Sequence, residues 1–224
     1  MSSSLEFLAP HAGNGAVARS PMEREALAAG GRIELRDGWN VAVAFAGEEA
    51  ALRDSVGFAD VSHLGKLELN GPLDEPAPAP LEFGLATRAE GAWWCPVARE
   101  RALVICEPSA LPGMRERFGS RAIELTTSYA ALTIAGPQAR ELFARFCALD
   151  LRPQSAPPRA FRPGSVARTP GYVLREEDDR FLMLFGWALG RYIWETTADA
   201  AAHLGGGPIG VDALAPLAEE LAHA

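Results

Sequence analysis

The chain has 224 residues, 48% of them hydrophobic, with a formal net charge of −8. That length and apolar content suffice for a substantial core, and a charged fraction of 22% argues against disorder. Basic residues are scattered (Arg19, Arg24, Arg32, Arg36, Arg53, Lys66), so nothing matches the clustered cationic face that nucleic acid requires. No apolar run approaches the ~20 residues of a membrane helix. Cys95, Cys106 and Cys147 are odd in number and lack CxxC spacing, which fits free thiols in a reducing compartment. Met1–Pro10 lacks the basic-then-apolar order of a signal peptide. A soluble, cytoplasmic protein is expected.

In chain order, residues 1–19 read as a flexible arm rich in Gly, Ala and Ser. Ser20-Pro21-Met22-Glu23 reads as a helix start, stopped at Gly30-Gly31. Strands are expected over Arg32–Arg36 and Trp39–Phe45, with Asp37-Gly38 as the hairpin turn between them. A short helix over Glu48–Ser55 follows. Lys66-Leu67-Glu68-Leu69 alternates polar and apolar, which predicts a strand with one buried face. The run from Pro72 to Pro80 reads as an extended connector, because proline removes backbone donors. Trp93–Val97 and Arg101–Cys106 are expected to pair, ahead of a helix over Leu111–Phe118.

Ala131–Ile134 is expected as a strand. From Gly136-Pro137 a helix runs to Ala148, with Ala139, Leu142, Phe143, Phe146 and Cys147 on one face. After a second proline-rich stretch, Pro153–Pro163, Val166–Leu174 and Arg180–Phe185 read as paired strands turned at Glu177-Asp178-Asp179. Trp187–Leu204 reads as a helix ended by Gly205-Gly206-Gly207, and Asp212–Ala222 as a terminal helix. Leu67-Glu68-Leu69-Asn70-Gly71-Pro72 is echoed by Leu132-Thr133-Ile134-Ala135-Gly136-Pro137. The echo is either a common strand–turn pattern or the trace of a duplicated architecture.

Four segments carry a family resemblance. Gly57-Phe58-Ala59-Asp60-Val61-Ser62, leading into a strand that ends at Gly71, is similar to the G-x-x-D-x-S signature of the aminomethyltransferase (glycine-cleavage T-protein) superfamily. Ala131–Arg140, with its strand-Gly-Pro-x-Ala-Arg order, resembles a second family segment. Arg168-Thr169-Pro170-Gly171-Tyr172 with Trp194, and Pro208-Ile209-Gly210, are weaker matches in family order. Within the superfamily the chain looks most like the gamma subunit of heterotetrameric sarcosine oxidase, which shares its shortness and a Ser20-Pro21-Met22-like beginning.

The resemblance implies an α+β aminomethyltransferase folate-binding-like fold. Two pseudo-repeated mixed α+β halves, about residues 20–125 and 126–224, would surround a tetrahydrofolate-sized opening. The function it implies is that of a non-catalytic gamma-type subunit packed against larger flavin-containing oxidase subunits, with the flavin held only by those partners. The alternative is a stand-alone folate-binding protein or aminomethyltransferase-like enzyme. T-proteins place an aspartate at the folate amine, in the region matching residues 80–105. This chain has no Asp between Asp74 and Asp150, only Glu82, Glu90, Glu100 and Glu107 nearby. A glutamate carries its carboxylate one methylene further out. No catalytic residue is therefore assigned.

Tyr172 and Arg168 are the folate-binding candidates, a ring to lie near folate and a guanidinium for a folate carboxylate. The family's Thr-Gly-Glu after the tyrosine is replaced by Val173-Leu174-Arg175-Glu176. Asp60 and Ser62 read as turn residues that satisfy backbone N–H groups. His63 reads as a surface or packed histidine. No His/Cys/Asp spacing points to a metal. Trp93-Trp94, Trp187 and Trp194 are of a kind to stack on a pterin, although Trp194, seven after Trp187 on one helix face, reads better as core. An oxidase-subunit reading calls for a large exposed apolar patch, to be uncovered where the proline connector replaces a helix. A folate-enzyme reading calls for a concave central pocket with convergent polar groups.

Overall fold

The computed structural model describes residues 16–73, 77 and 81–214. The first elements are β1 (Ala18–Arg19), α1 (Glu23–Ala28), β2 (Arg32–Arg36), β3 (Trp39–Ala44), α2 (Glu48–Asp54), β4 (Gly57–Asp60) and β5 (Gly65–Asn70). Then come β6 (Thr87–Ala89), β7 (Ala92–Ala98), β8 (Arg101–Cys106), α3 (Leu111–Phe118), β9 (Ala122–Glu124), β10 (Tyr129–Ala135) and α4 (Ala139–Phe146). The chain continues through β11 (Phe161–Val166), β12 (Thr169–Glu177), β13 (Arg180–Gly186), α5 (Gly190–Ala202) and β14 (Gly207–Pro208).

Three sheets result. A small one runs β1-β3-β2, a six-stranded one β11-β12-β13-β10-β4-β14, and a five-stranded one β6-β7-β8-β5-β9. The architecture is mixed α+β, as expected. The five-stranded sheet lies wholly within the first expected half. The second half's sheet, however, takes β4 from the first, paired antiparallel to β10 from Leu132↔Asp60 to Ala135↔Gly57.

Period-two alternation explains the layering. On β13, Phe181, Met183 and Phe185 face a cluster that includes Trp194 of α5, Leu142 and Phe143 of α4, and Met22 and Ala26 at α1. Leu182 and Leu184 face the other way, toward Leu103, Ile105 and Cys95 of the five-stranded sheet. The outer face of that second sheet packs Leu67, Leu69, Trp94 and Val104 against Met114 and Phe118 of α3. The strand of the first echo, β5, is thus covered by α3, with Leu73 and Ala77 also packed there. Among the described residues no continuous apolar surface is laid bare beside the proline connector, where Phe83 is the large apolar side chain left exposed. The large apolar side chains exposed among the described residues (Val17, Leu27, Leu35, Phe83, Ile123 and Tyr192) sit on separate elements.

Several expectations shift. Ser20 does not cap α1 by itself; its Oγ accepts the Met22 N–H at 3.0 Å, and the helix proper starts at Glu23. Ala18 and Arg19, assigned to the arm, pair in parallel with Trp39 and Asn40; residues 1–15 lie outside the described residues. Val166–Leu174 is not one strand but the hairpin β11–β12, in which Val166 pairs with Thr169. Of the terminal helix, Val211–Leu214 is a 3-10 turn and residues 215–224 lie outside the described residues. The largest departure is Lys66. Its strand was expected to bury one face only, yet Lys66 itself is 0% exposed.

Candidate functional site

The two main sheets meet through strands that carry short side chains on their facing sides: Ala59, Ala131, Ala135 and Cys95. Beside this contact a cavity of about 370 Å³ opens, with Thr133 of β10, Leu182 of β13 and Ile105 of β8 in its wall. Loops close it. Arg36 and Asp37 come from the β2–β3 turn, and Val61, His63 and Leu64 from the turn after β4. Arg88 and Trp93 come from the β6–β7 hairpin, and Cys106 and Glu107 from the end of β8. Glu176 of β12, Arg180 of β13 and Leu214 complete it.

Glu176 is brought in by an irregularity. The register between β12 and β13 shifts between Arg175 and Glu177, so Glu176 is the extra residue of a bulge. A bulge re-aims a side chain. Arg175 is left buried, donating to the Ala156 carbonyl at 2.6 Å. Glu176 accepts the Trp93 indole N–H at 3.0 Å and the Arg180 Nε–H at 3.1 Å. This carboxylate ties the two sheets across the cavity. Arg180 also donates to the Leu214 carbonyl at 3.1 Å. The Arg88 guanidinium lies 5.4 Å from the Trp93 ring centroid, a cation–π distance.

The charges divide into engaged and free. Arg36 donates to Asp212 at 2.9 Å and to Glu34 at 3.0 Å, and Arg180 is spent on Glu176. Arg88 makes no ion pair among the described residues, and Glu107 no side-chain hydrogen bond. Loss of water and the nearby charge of Asp37 raise the Glu107 pKa. Among the four glutamates near the missing aspartate, only Glu107 is in the cavity wall; Glu90 is paired with Arg117 at 2.7 Å. His63 is neutral through the physiological range, burial pushing it down to about 4. It has no hydrogen-bonding partner among the described residues that would make it an acid–base group.

Asp60 and Ser62 do turn work, as expected. Asp60 Oδ1 accepts the Ser62 N–H at 3.0 Å, its other oxygen accepts the Ser20 hydroxyl, and Ser62 Oγ accepts the Ala131 N–H at 3.1 Å. These bonds fasten the signature turn to α1 and to β10. Trp94 and Trp194 are core, 0% and 5% exposed, and Trp187 packs edge-on against Trp39. No cluster of metal-ligating side chains occurs among the described residues.

Tyr172 and Arg168 are together but elsewhere. They line a surface groove of about 530 Å³ with Tyr129, Pro163 and Pro170, sharing no residue with the central cavity. Tyr172 stacks on Phe161, centroids 5.2 Å apart, and meets Tyr129 edge-on. Glu176, Arg88 and Arg180 were missed as site residues. The Arg175-Glu176-Glu177 run was the available signal, since charge on both sides of a strand marks a break in its alternation.

No family model matches the chain. It is 25% identical over 245 residues to an aminomethyltransferase of Parafrankia sp. (strain EAN1pec), covering 93% of this chain. It spans 65% of that relative's length. An aminomethyltransferase of Picosynechococcus sp. is 41% identical over 56 residues, 24% of this chain and 15% of that protein. Aminomethyltransferase T of the glycine cleavage system from Bartonella henselae superposes with a TM-score of 0.70 at 17% identity, over 88% of this chain and 60% of that one. This chain has the fold of that aminomethyltransferase T. A chain of heterotetrameric sarcosine oxidase from Corynebacterium sp. U-96 shares it, with a TM-score of 0.65 at 18% identity, over 86% of this chain and 98% of that one. The expected resemblance therefore holds at the level of fold, and the Gly57–Gly71 and Ala131–Arg140 segments both contribute residues to the cavity wall. Among the described residues no helix is long and apolar enough to cross a membrane.

Proposed function

We propose that this chain is a gamma-type subunit of a heteromeric sarcosine oxidase-like enzyme, one that oxidatively demethylates sarcosine with tetrahydrofolate. In this reading it packs against larger flavin-containing subunits in the cytoplasm and has no aminomethyl-transfer chemistry of its own. The observation that carries the reading is the missing aspartate: no Asp lies between Asp74 and Asp150, and of the four glutamates nearby only Glu107 is in the cavity wall. The fold shared with a chain of heterotetrameric sarcosine oxidase, over 86% of this chain, supports it. Co-expression with the flavin-containing subunits of a heterotetrameric sarcosine oxidase, followed by size-exclusion chromatography, tests it. Co-elution is expected. A stable monomer, with the other subunits fully active without it, overturns it.

A second reading, a stand-alone folate-binding protein, is supported by the concave cavity with its convergent charges. Two places are candidates for folate. The central cavity offers Arg88 for a carboxylate, Trp93 for stacking and Glu107 for a ring N–H. The groove offers Arg168 and Tyr172. Tryptophan-fluorescence titration with tetrahydrofolate separates them. Weakened binding in Arg168→Ala alone assigns the groove; weakened binding in Glu107→Gln alone assigns the cavity. No saturable binding removes this reading and leaves the subunit reading standing.

A further inference from the structure

Lys66 is fully buried on the face of β5 that looks toward the other sheet, opposite Ile105 of β8. Lysine is almost never fully buried without a paired charge. Here it makes no ion pair among the described residues. Its Nζ donates instead to two backbone carbonyls, Ser62 O and Leu64 O, each at 2.8 Å. Those carbonyls belong to the turn that joins β4 to β5. Val61, His63 and Leu64 of that turn form one wall of the central cavity. The amine is therefore a clip on the cavity wall, and moving His63 and Leu64 outward brings it to water.

We propose that the wall formed by Val61–Gly65 is a proton-coupled gate: opening it solvates the Lys66 amine and takes up a proton, so acidification favours the open state. The groups around the amine fix the direction. Asp60 of β4 favours the charged amine, but its carboxyl is occupied by Ser20 and the Ser62 N–H. Cys106 of β8 is a thiol pushed up to about 11 by burial, so it supplies no charge near neutrality. His63 is neutral there. Thr126, before β10, meets only the Lys66 backbone N–H. Glu68, two residues along the same strand face, turns to Arg101 and Asn70. Burial thus outweighs the single helpful charge and brings the amine down to about 7.

A solvated lysine holds its proton to about 10.4. Between the two values the closed wall carries a neutral amine and the open wall a charged one. Linkage then makes opening harder as pH rises, by up to about tenfold per pH unit for one proton. Below the lower value both states are protonated and the dependence ends.

Amide hydrogen exchange of the peptide spanning residues 61–66, in the full chain, reads this directly. After correction for the intrinsic exchange rate, protection is expected to rise between pH 7 and 9, approaching tenfold per unit. Lys66→Met is expected to abolish that slope. Asp60→Asn, which removes the one charge favouring the ammonium, provides a check independent of the methionine variant's folding, and it is expected to move the onset of the slope to lower pH. Protection independent of pH in the wild-type chain, a slope that survives Lys66→Met, or an onset unmoved in Asp60→Asn overturns the gate.

Discussion

The two strand–Gly–Pro units look alike in sequence and differ in what surrounds them. Gly71 and Gly136 both take positive φ, +96° and +117°, so both turns depend on glycine's freedom. A Cβ on Gly136 lies 2.7 Å from the Ser55 carbonyl oxygen and 3.2 Å from that of Leu52, both backbone atoms at the end of α2. A Cβ on Gly71 meets only the Arg121 guanidinium, at 3.4 Å. The second unit is wedged between α2 and α4, with Gln138 N–H bonded to the same Ser55 oxygen at 3.0 Å. The first is a surface turn braced by one flexible side chain, Arg121, which donates to the Asn70 and Pro72 carbonyls. A shared motif records a shared local conformation; the packing that gives it energetic weight is not in the motif.

Alanine at the two glycines tests that difference most strongly. Gly136→Ala combines left-handed strain with a backbone clash, and is expected to destabilise by about 3 kcal/mol or more. Gly71→Ala carries the strain without the clash, and about 1 kcal/mol is expected. Urea unfolding of both variants decides it; equal losses would mean that the surroundings of Gly136 yield and that the contrast is false.

The turns that lead into the two strands also differ. His63 precedes β5, whereas Leu125–Ser128 before β10 holds no titratable side chain. His63 is depressed from 6.5 to about 4, chiefly by burial. The unfolded chain therefore binds a proton near pH 6.5 that the folded chain accepts only near pH 4. Stability contributed by neutral His63 is full above 6.5 and is lost as pH falls to 4, by on the order of 1–2 kcal/mol once its partial exposure to the cavity is allowed for. Urea midpoints at pH 4.5 and 7 for wild type and His63→Gln measure it. The variant is expected to lose less on acidification, placing this part of the acid sensitivity at the first unit.

How far the chain could be read before folding follows the same division between local and non-local causes. Helices α3, α4 and α5 and strands β2, β3, β8 and β13 were legible to within a few residues, because each carries its own period and stop signals. Lys66 and Glu176 were not. Lys66 is buried by a second sheet that approaches from far along the chain, and Glu176 enters the cavity because β12 bulges against β13. The candidate folate pair came from a motif, which fixed the neighbourhood of Arg168 and Tyr172 but not the cavity they would face. Two hairpins make the point at equal length. Asp37-Gly38 announced its turn, and both residues do take positive φ. Ala167-Arg168 forms the same kind of two-residue connection with φ of +45° and +61°, from residues that give no turn signal.

That second hairpin leads to the smallest and most informative expectation. A non-glycine residue in the left-handed region costs about 1 kcal/mol or more, and such strain persists where surrounding structure over-determines it. At Arg168 the hairpin is held from both sides. Thr169 Oγ1 donates to the Val166 carbonyl at 3.0 Å, and the Tyr192 hydroxyl donates to the Ala167 carbonyl at 3.1 Å. The Arg168 guanidinium makes no hydrogen bond among the described residues, so nothing there repays the strain. Arg168→Gly is therefore expected to stabilise the chain by about 0.5 kcal/mol, strain relief being partly offset by the larger backbone entropy of glycine in the unfolded state. A urea midpoint that rises in Arg168→Gly, together with loss of tetrahydrofolate or partner binding, marks an arginine held in a strained turn for what it contacts outside the chain. A rise without such a loss leaves Arg168 as a tolerated turn residue, and shifts the weight of recognition to Arg88 and Glu107 in the central cavity. A fall in stability would show that the guanidinium is anchored within the fold, and the groove would then lose the free cation that Arg168 supplies among its described residues.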